Sequence, residues 1–337
     1  MNRESWLDYV RAFACVLVTL GHLANSFIDA QIVTDTRFLS AFVQVIYHFH
    51  VYIFFFCSGY LFQARFCMTD TRALWRKRVI RSIDFAIPYV VFSFVTYAIK
   101  IVMGSDVNTP VEEPFFDILL NHPINQMWYL YAAIFITLLT PVCRTKKSLF
   151  LMLALSIVGK VISMIPTFRV HRLIGYLLQN EIWYVLGMLF FAKKNVIKDA
   201  YLAFLSIPFV ILCYAELQFK ISHPIGDVTM TLTGVLATVG FFRMLSSVRP
   251  KEFAICHYLS KYMLQIYLLH TICAAGIRII LIKLGITAIF PHLIFGLIFS
   301  FIIPIFMAYI ANKTVYLNFV FFPSKTWAAI RARNTLP

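Results

Sequence analysis

An arginine and a histidine stand eleven residues apart, Arg11 and His22, inside the first apolar segment, RAFACVLVTLGH. An ionisable side chain within a membrane span is costly to keep there and by default marks a functional site. At about 100° per residue, eleven steps come to roughly 1100°, so both side chains return to nearly the same helix face. The rise is about 16 Å, which puts one group near the membrane surface and the other well inside. A guanidinium stays charged and must find an anion. Asp8, three residues earlier, can supply one, and so can a phosphate or carboxylate of a ligand. A buried imidazole is neutral near pH 7 because desolvation disfavours its charged form, and neutral imidazole is the usual group for taking a proton from a hydroxyl. His22 could equally bond a neighbouring helix. The functional reading expects one pocket to which Arg11 and His22 are both presented.

Further polar groups interrupt the later apolar segments. In YHFHVYIFFFCSGYLFQ (47–63), His48 and His50 precede the small pair Ser58-Gly59. Such a pair permits close approach of another helix or of a ligand, and packing is the simpler reason. Two histidines two residues apart point to different sides of a helix, so no metal is expected. WRKRVIRSIDFAIPY (75–89) carries Arg76, Arg78 and Arg81, and six basic residues fall between 65 and 81. Retention at the membrane surface explains such a cluster. A polyphosphate donor or an anionic headgroup would suit it too. QMWYLYAAI (126–134) opens with Trp128, which an interfacial aromatic belt accounts for. QIYLLHT (265–271) carries Tyr267 and His270 at i, i+3 on one face, a second sign of a polar cavity between helices. Glu181 and Lys160 are lesser intrusions.

These groups need helices to hold them. The 337 residues are 61% hydrophobic and 13% charged, with 34 Phe and 17 Tyr, which predicts an all-α polytopic membrane protein. No run of alternating ten-residue segments suggests a barrel. Ten spans are expected, near 8–27, 40–62, 82–103, 127–143, 148–166, 173–192, 200–217, 228–246, 263–284 and 290–312, within a single transmembrane domain (1–337) ending in a basic tail (about 313–337). The first span has no cleavage signature and is expected to remain as an anchor. The net charge of +15 lies in short clusters between apolar runs, a topology signal that argues against nucleic acid as a partner. Most of the 30 Lys and Arg then fall on one side. These are Arg3, the 65–81 cluster, Arg144, Lys146, Lys147, Lys193, Lys194, Lys198, Arg243, Arg249, Lys251, Lys261, Lys313, Lys325, Arg331 and Arg333. The exceptions are Arg37, Lys100, Arg169, Arg172, Lys220, Arg278 and Lys283. Both termini are therefore expected in the cytoplasm. The seven cysteines show no ligand spacing and read as small apolar packers.

DYVRAFACVLVTLGH (8–22), FHVYIFFFCSGYLF (49–62), RKRVIRSIDFAIPY, QMWYLYAAI and QIYLLHT, in that order, resemble the acyltransferase-3 family of membrane acyltransferases, which includes O-acetylases of bacterial surface polysaccharides. The likeness covers about residues 5–275. One departure is Val51-Tyr52, where many relatives carry Met-Pro. It predicts a straighter second span and leaves His50 outside the expected site. The resemblance implies transfer of an acyl group, usually acetyl from acetyl-CoA, to a hydroxyl of a surface or lipid-linked glycan, in the bacterial inner membrane and without a metal. His22, Arg11 and Asp8 would then carry the chemistry, with His22 either activating the acceptor hydroxyl or accepting the acyl group. Arg76, Arg78 and Arg81 would hold the donor phosphates. Ser58, Trp128, Tyr267 and His270 would line the substrate pocket. The competing reading is a transporter of a small anionic or sugar substrate, although no matching broken helices occur in two halves.

Overall fold

The computed structural model describes residues 4–165, 171–193, 196–220, 223–249 and 253–334, which are all-α with no strand among them. Arg3, Arg169, Lys194 and Lys251, and the side chain of Arg333, lie outside the described residues. The helices are α1 (Ser5–Asp29), α2 (Arg37–Tyr47), α3 (His50–Phe66), α4 (Thr71–Met103), α5 (Phe115–Leu120), α6 (Trp128–Leu139), α7 (Lys146–Ser163) and α8 (Arg172–Lys193). They continue with α9 (Asp199–Phe204), α10 (Ser206–Phe219), α11 (Pro224–Val248), α12 (Ala254–Lys261), α13 (Met263–Lys283), α14 (Ile289–Ala311), α15 (Val315–Phe321) and α16 (Pro323–Asn334). Among the described residues, eight stretches are long and apolar enough to cross a membrane. Two of these join neighbouring helices, α2 with α3 and α9 with α10.

The other two expected spans fall short for different reasons. Helix α7 has 18 residues and carries three lysines, Lys146, Lys147 and Lys160. Helix α6 has only 12 residues, about 18 Å against a hydrocarbon core of about 30 Å. It begins deep in the protein. Gln126 and Met127, just before it, are buried, and Gln126 is bonded to Tyr267 and Thr271 of α13. Irregular backbone at such depth is tolerated where protein surrounds it or a water-filled cavity adjoins it.

Helix α1 is the central element. Its buried positions run around the whole circumference, from Trp6 and Tyr9 to Cys15, Val18 and Phe27, the pattern of a helix enclosed by others. It packs on α2, α3, α11, α12, α13 and α14. Helix α14 is peripheral. It buries one stripe of mostly small residues at every fourth position (His292, Gly296, Ser300, Pro304 and Ala308), while Phe290, Ile298, Ile302 and Phe306 face outward. Small residues at that spacing let helices approach where no hydrophobic force separates partner from lipid.

Helices α3 and α8 meet backbone to backbone. A Cβ on Gly59 would lie 1.8 Å from the carbonyl oxygen of Tyr184, and one on Gly187 would lie 2.0 Å from that of Phe56. Packing therefore accounts for Gly59. The second span is broken between α2 and α3 even though no proline is present, in contrast to the straighter span expected. The Ile46 carbonyl is shared by the Phe49 N–H (3.1 Å) and the His50 imidazole Nδ1 (2.6 Å). A side chain thus takes the acceptor that the ladder would use, a recognised cause of helix interruption.

The expected C-terminal tail is ordered into helices that close over the bundle. Asp84 of α4 accepts from the Ser324 backbone N–H and hydroxyl, both at 2.9 Å, at the start of α16. Gln265 donates to the Phe321 carbonyl at 3.3 Å.

Candidate active site

Arg11 lines a cavity of about 280 Å³ at the N-terminal end of α1. The cavity runs from the exposed Lys261 and Lys325 to the buried Tyr129 and Tyr267. Ser58, Arg81 and Asp84 also border it. Among the described residues no hydrogen bond or ion pair is made by the Arg11 guanidinium. The pairing with Asp8 allowed by the sequence does not form. Asp8, 5% exposed, accepts instead from the Ser260 hydroxyl of α12 at 2.5 Å. Helix α12 lies against α1 and brings that hydroxyl to the carboxylate, so Asp8 attracts Arg11 only through space, without a direct ion pair. A half-buried guanidinium of this kind is unusual unless something else supplies the anion.

The three arginines of the basic cluster separate. Arg81 lines the cavity, 3.4 Å from Asp84 and with its guanidinium over the Phe85 ring. Arg78 is turned inward and donates to the carbonyls of Thr137, Leu138 and Thr140, the last at 2.7 Å. Those carbonyls sit at the C-terminal end of α6, where helical acceptors lack intrahelical partners, so Arg78 caps a helix. Arg76 is exposed and does not border the cavity.

His22 lines a second cavity, about 370 Å³, toward the C-terminal end of α1, with Asn25, Tyr47, Lys100, Thr271 and Arg278. One helix thus presents the pair to two cavities instead of the single pocket expected. What divides them is a thin polar layer. The Tyr267 hydroxyl donates to the Gln126 carbonyl, and the Gln126 amide donates to the Thr271 hydroxyl at 2.8 Å. Tyr267 borders the Arg11 cavity and Thr271 the His22 cavity. Four residues of helix separate them, about 6 Å.

Three imidazoles gather at this layer. The rings of His22 and His270 lie 5.1 Å apart, and those of Tyr47 and His50 lie 4.8 Å apart. His270 Nδ1 faces the carbonyls of Ile266 and Tyr267, both at 2.9 Å. In a neutral ring this makes Nδ1 the donor and leaves Nε2 as a bare acceptor. Nε2 is buried without a hydrogen-bond partner among the described residues. The site therefore offers basic nitrogens in a region shielded from bulk water, where proton transfer and acyl-transfer chemistry are both available.

Of the other expected pocket residues, Ser58 and Tyr267 reach the Arg11 cavity. His270 stands behind His22 and is 1% exposed. Trp128 stacks on Tyr176 at 6.0 Å and borders neither cavity. Sequence reasoning overlooked Lys261 and Lys325, which only the folded C-terminal helices bring to the cavity mouth. It also set aside His50, although its position between two tyrosines in a helix break is a polar intrusion like the others.

A separate group of His48, Glu216 and Asp227 has ligand atoms within 4.8 Å of one another, the donor set for a divalent cation. His48 Nε2 is already 2.7 Å from Glu216, and Lys160 borders the same cavity. The group lies apart from the Arg11 cavity.

No curated protein and no solved structure matches the chain at a significant level. The model of the acyltransferase-3 family, described as an acyltransferase domain, matches residues 4–309, a stretch that takes in both cavities except for the contributions of α15 and α16. The match covers nearly the whole chain, the central helix that carries Arg11 and His22 included, and the protein belongs to the acyltransferase-3 family as a multi-pass membrane acyltransferase.

Proposed function

We propose that this acyltransferase moves an acetyl group from cytoplasmic acetyl-CoA to a hydroxyl of a surface or lipid-linked glycan, in a bacterial inner membrane with both termini in the cytoplasm. The observation that carries this reading is the pair of cavities meeting end to end at a layer about one helical turn thick, with imidazoles on it. Two substrates that approach from opposite faces of a bilayer need that arrangement.

The Arg11 cavity suits the donor. Arg81, Lys261 and Lys325 at its mouth would hold the nucleotide phosphates. The pantetheine arm would run inward, with Arg11 as the cation nearest the thioester. Arg78, committed to α6, drops out of the donor site, and the exposed Arg76 contributes only to the surrounding positive potential. The His22 cavity would receive the acceptor.

Because donor and acceptor occupy different cavities, a two-step transfer fits better than direct attack. Swinging of the Tyr267 ring away from Gln126 would join the cavities. An imidazole nitrogen of His22 attacks the thioester carbonyl, the C–S bond breaks, and the CoA thiolate leaves. The acceptor hydroxyl then attacks the acyl-imidazole. Its proton passes to the bare Nε2 of His270 and on to the thiolate, and the His22 ring is released.

The test is to replace His22 by Ala and measure ester on the host's surface glycan by mass spectrometry. Loss of ester while the protein still inserts is expected, and unchanged ester content ends the reading. Incubation of the purified protein with radiolabelled acetyl-CoA and no acceptor should label the wild type but not the His22→Ala variant. Sugar uptake into liposomes without acetyl-CoA consumption would favour transport instead.

A further inference from the structure

We infer that the His22 cavity selects an acidic acceptor, one that carries a carboxylate or phosphate beside the hydroxyl to be acylated, held between Arg278 and Lys100. The identity of the occupant as an acyl acceptor rests on the proposed function; the anion site itself rests on the following.

Arg278 and Lys100 both border this cavity, on α13 and α4. Cations there run against the charge pattern that orients the chain. Two other exceptions to that pattern are matched to carboxylates at the surface, Arg37 with Asp35 at 2.6 Å and Lys283 with Asp106 at 2.6 Å. Arg278 and Lys100 make no such ion pair among the described residues. The Arg278 guanidinium is 4% exposed and donates to the neutral Ser26 hydroxyl at 2.6 Å, while its Nε is buried with no partner among the described residues. Lys100 donates only to neutral oxygens: the Thr109 carbonyl and hydroxyl, both at 2.8 Å, and the Asn125 amide oxygen at 3.2 Å. Asp29 borders the same cavity and attracts Arg278 through space, but it makes no direct ion pair with either cation among the described residues.

Two cations facing one acid leave the cavity with excess positive charge in a region of low dielectric. A bound anion would complete such a charge, and an ionisable group at that depth marks a functional site by default. The same cations would draw an anionic sugar to the His22 imidazole and orient it there. They would not favour a neutral one.

The experiment uses the full-length protein in nanodiscs and three probes: methyl glucuronide, glucose 1-phosphate and the neutral methyl glucoside. Binding is read by titration, and ester formation from acetyl-CoA by mass spectrometry. At least one charged probe is expected to bind tenfold or more tightly than the neutral one. Arg278→Gln and Lys100→Gln should each remove most of that preference. Arg278→Lys, which keeps the charge, should retain it and guards against mere misfolding. Which charged probe wins tells carboxylate from phosphate. Absence of any charged-over-neutral preference, or a preference that survives both glutamine variants, overturns the inference. A preference for the charged probes with no ester formed on any of them would leave the anion site standing and overturn the acyl-transfer reading instead.

Discussion

Replacing Arg11 by Met removes a cation that makes no direct ion pair among the described residues, and this sets the variant apart from ordinary substitutions of buried arginines. Removing one partner of a buried pair strands the other at a cost of about 3–5 kcal/mol. Here no direct ion pair is broken, because Asp8 accepts from Ser260 and the guanidinium faces the cavity. The methionine keeps most of the apolar stem. Thermal stability should therefore be unchanged or slightly raised. The donor should suffer. A hydrogen bond from a charged group is worth about 1.5–3 kcal/mol, which corresponds to a fall of about 10- to 150-fold in kcat/KM for acetyl-CoA. The assay pairs thiol release in proteoliposomes, measured against donor concentration, with thermal unfolding of the purified protein followed by intrinsic fluorescence. A variant that melts well below the wild type while keeping its donor kinetics would show that Arg11 holds the fold together, and the reasoning would fail.

Arg81→Ala and Lys325→Ala are expected to raise the donor KM about fivefold or more with little change in melting temperature. Arg78→Ala should do the reverse, destabilising by about 1–3 kcal/mol as the α6 carbonyls lose their donor; kinetics and unfolding curves on the same preparations separate the two groups. Gly59→Ala should abolish accumulation of monodisperse protein, because the new Cβ would overlap the Tyr184 carbonyl oxygen, a backbone atom with nowhere to turn. Ser58→Ala next to it is the control, and size-exclusion profiles of membrane extracts provide the measurement; wild-type amounts of the glycine variant would contradict the packing account.

The period of the apolar residues and the cost of charge in a membrane act along the chain, so the sequence alone determined the helical class, most of the spans and the placing of Arg11 and His22 on one helix. For the same reason the family was legible from five short segments in order. Partnership is a different matter, because it depends on which residues distant in sequence arrive at the same place. Tertiary structure alone decided that Asp8 turns to Ser260 without pairing directly with Arg11, that Arg78 caps α6 while Arg81 faces the Arg11 cavity, and that a short helix starting in the protein interior stands where a full span was expected. It also decided that the tail folds back to bring Lys325 to the cavity mouth and that Tyr267 and Gln126 divide one pocket into two. A carboxylate takes the nearest donor in space, and composition or periodicity along one segment carries no record of the hydroxyl 252 residues away that meets it.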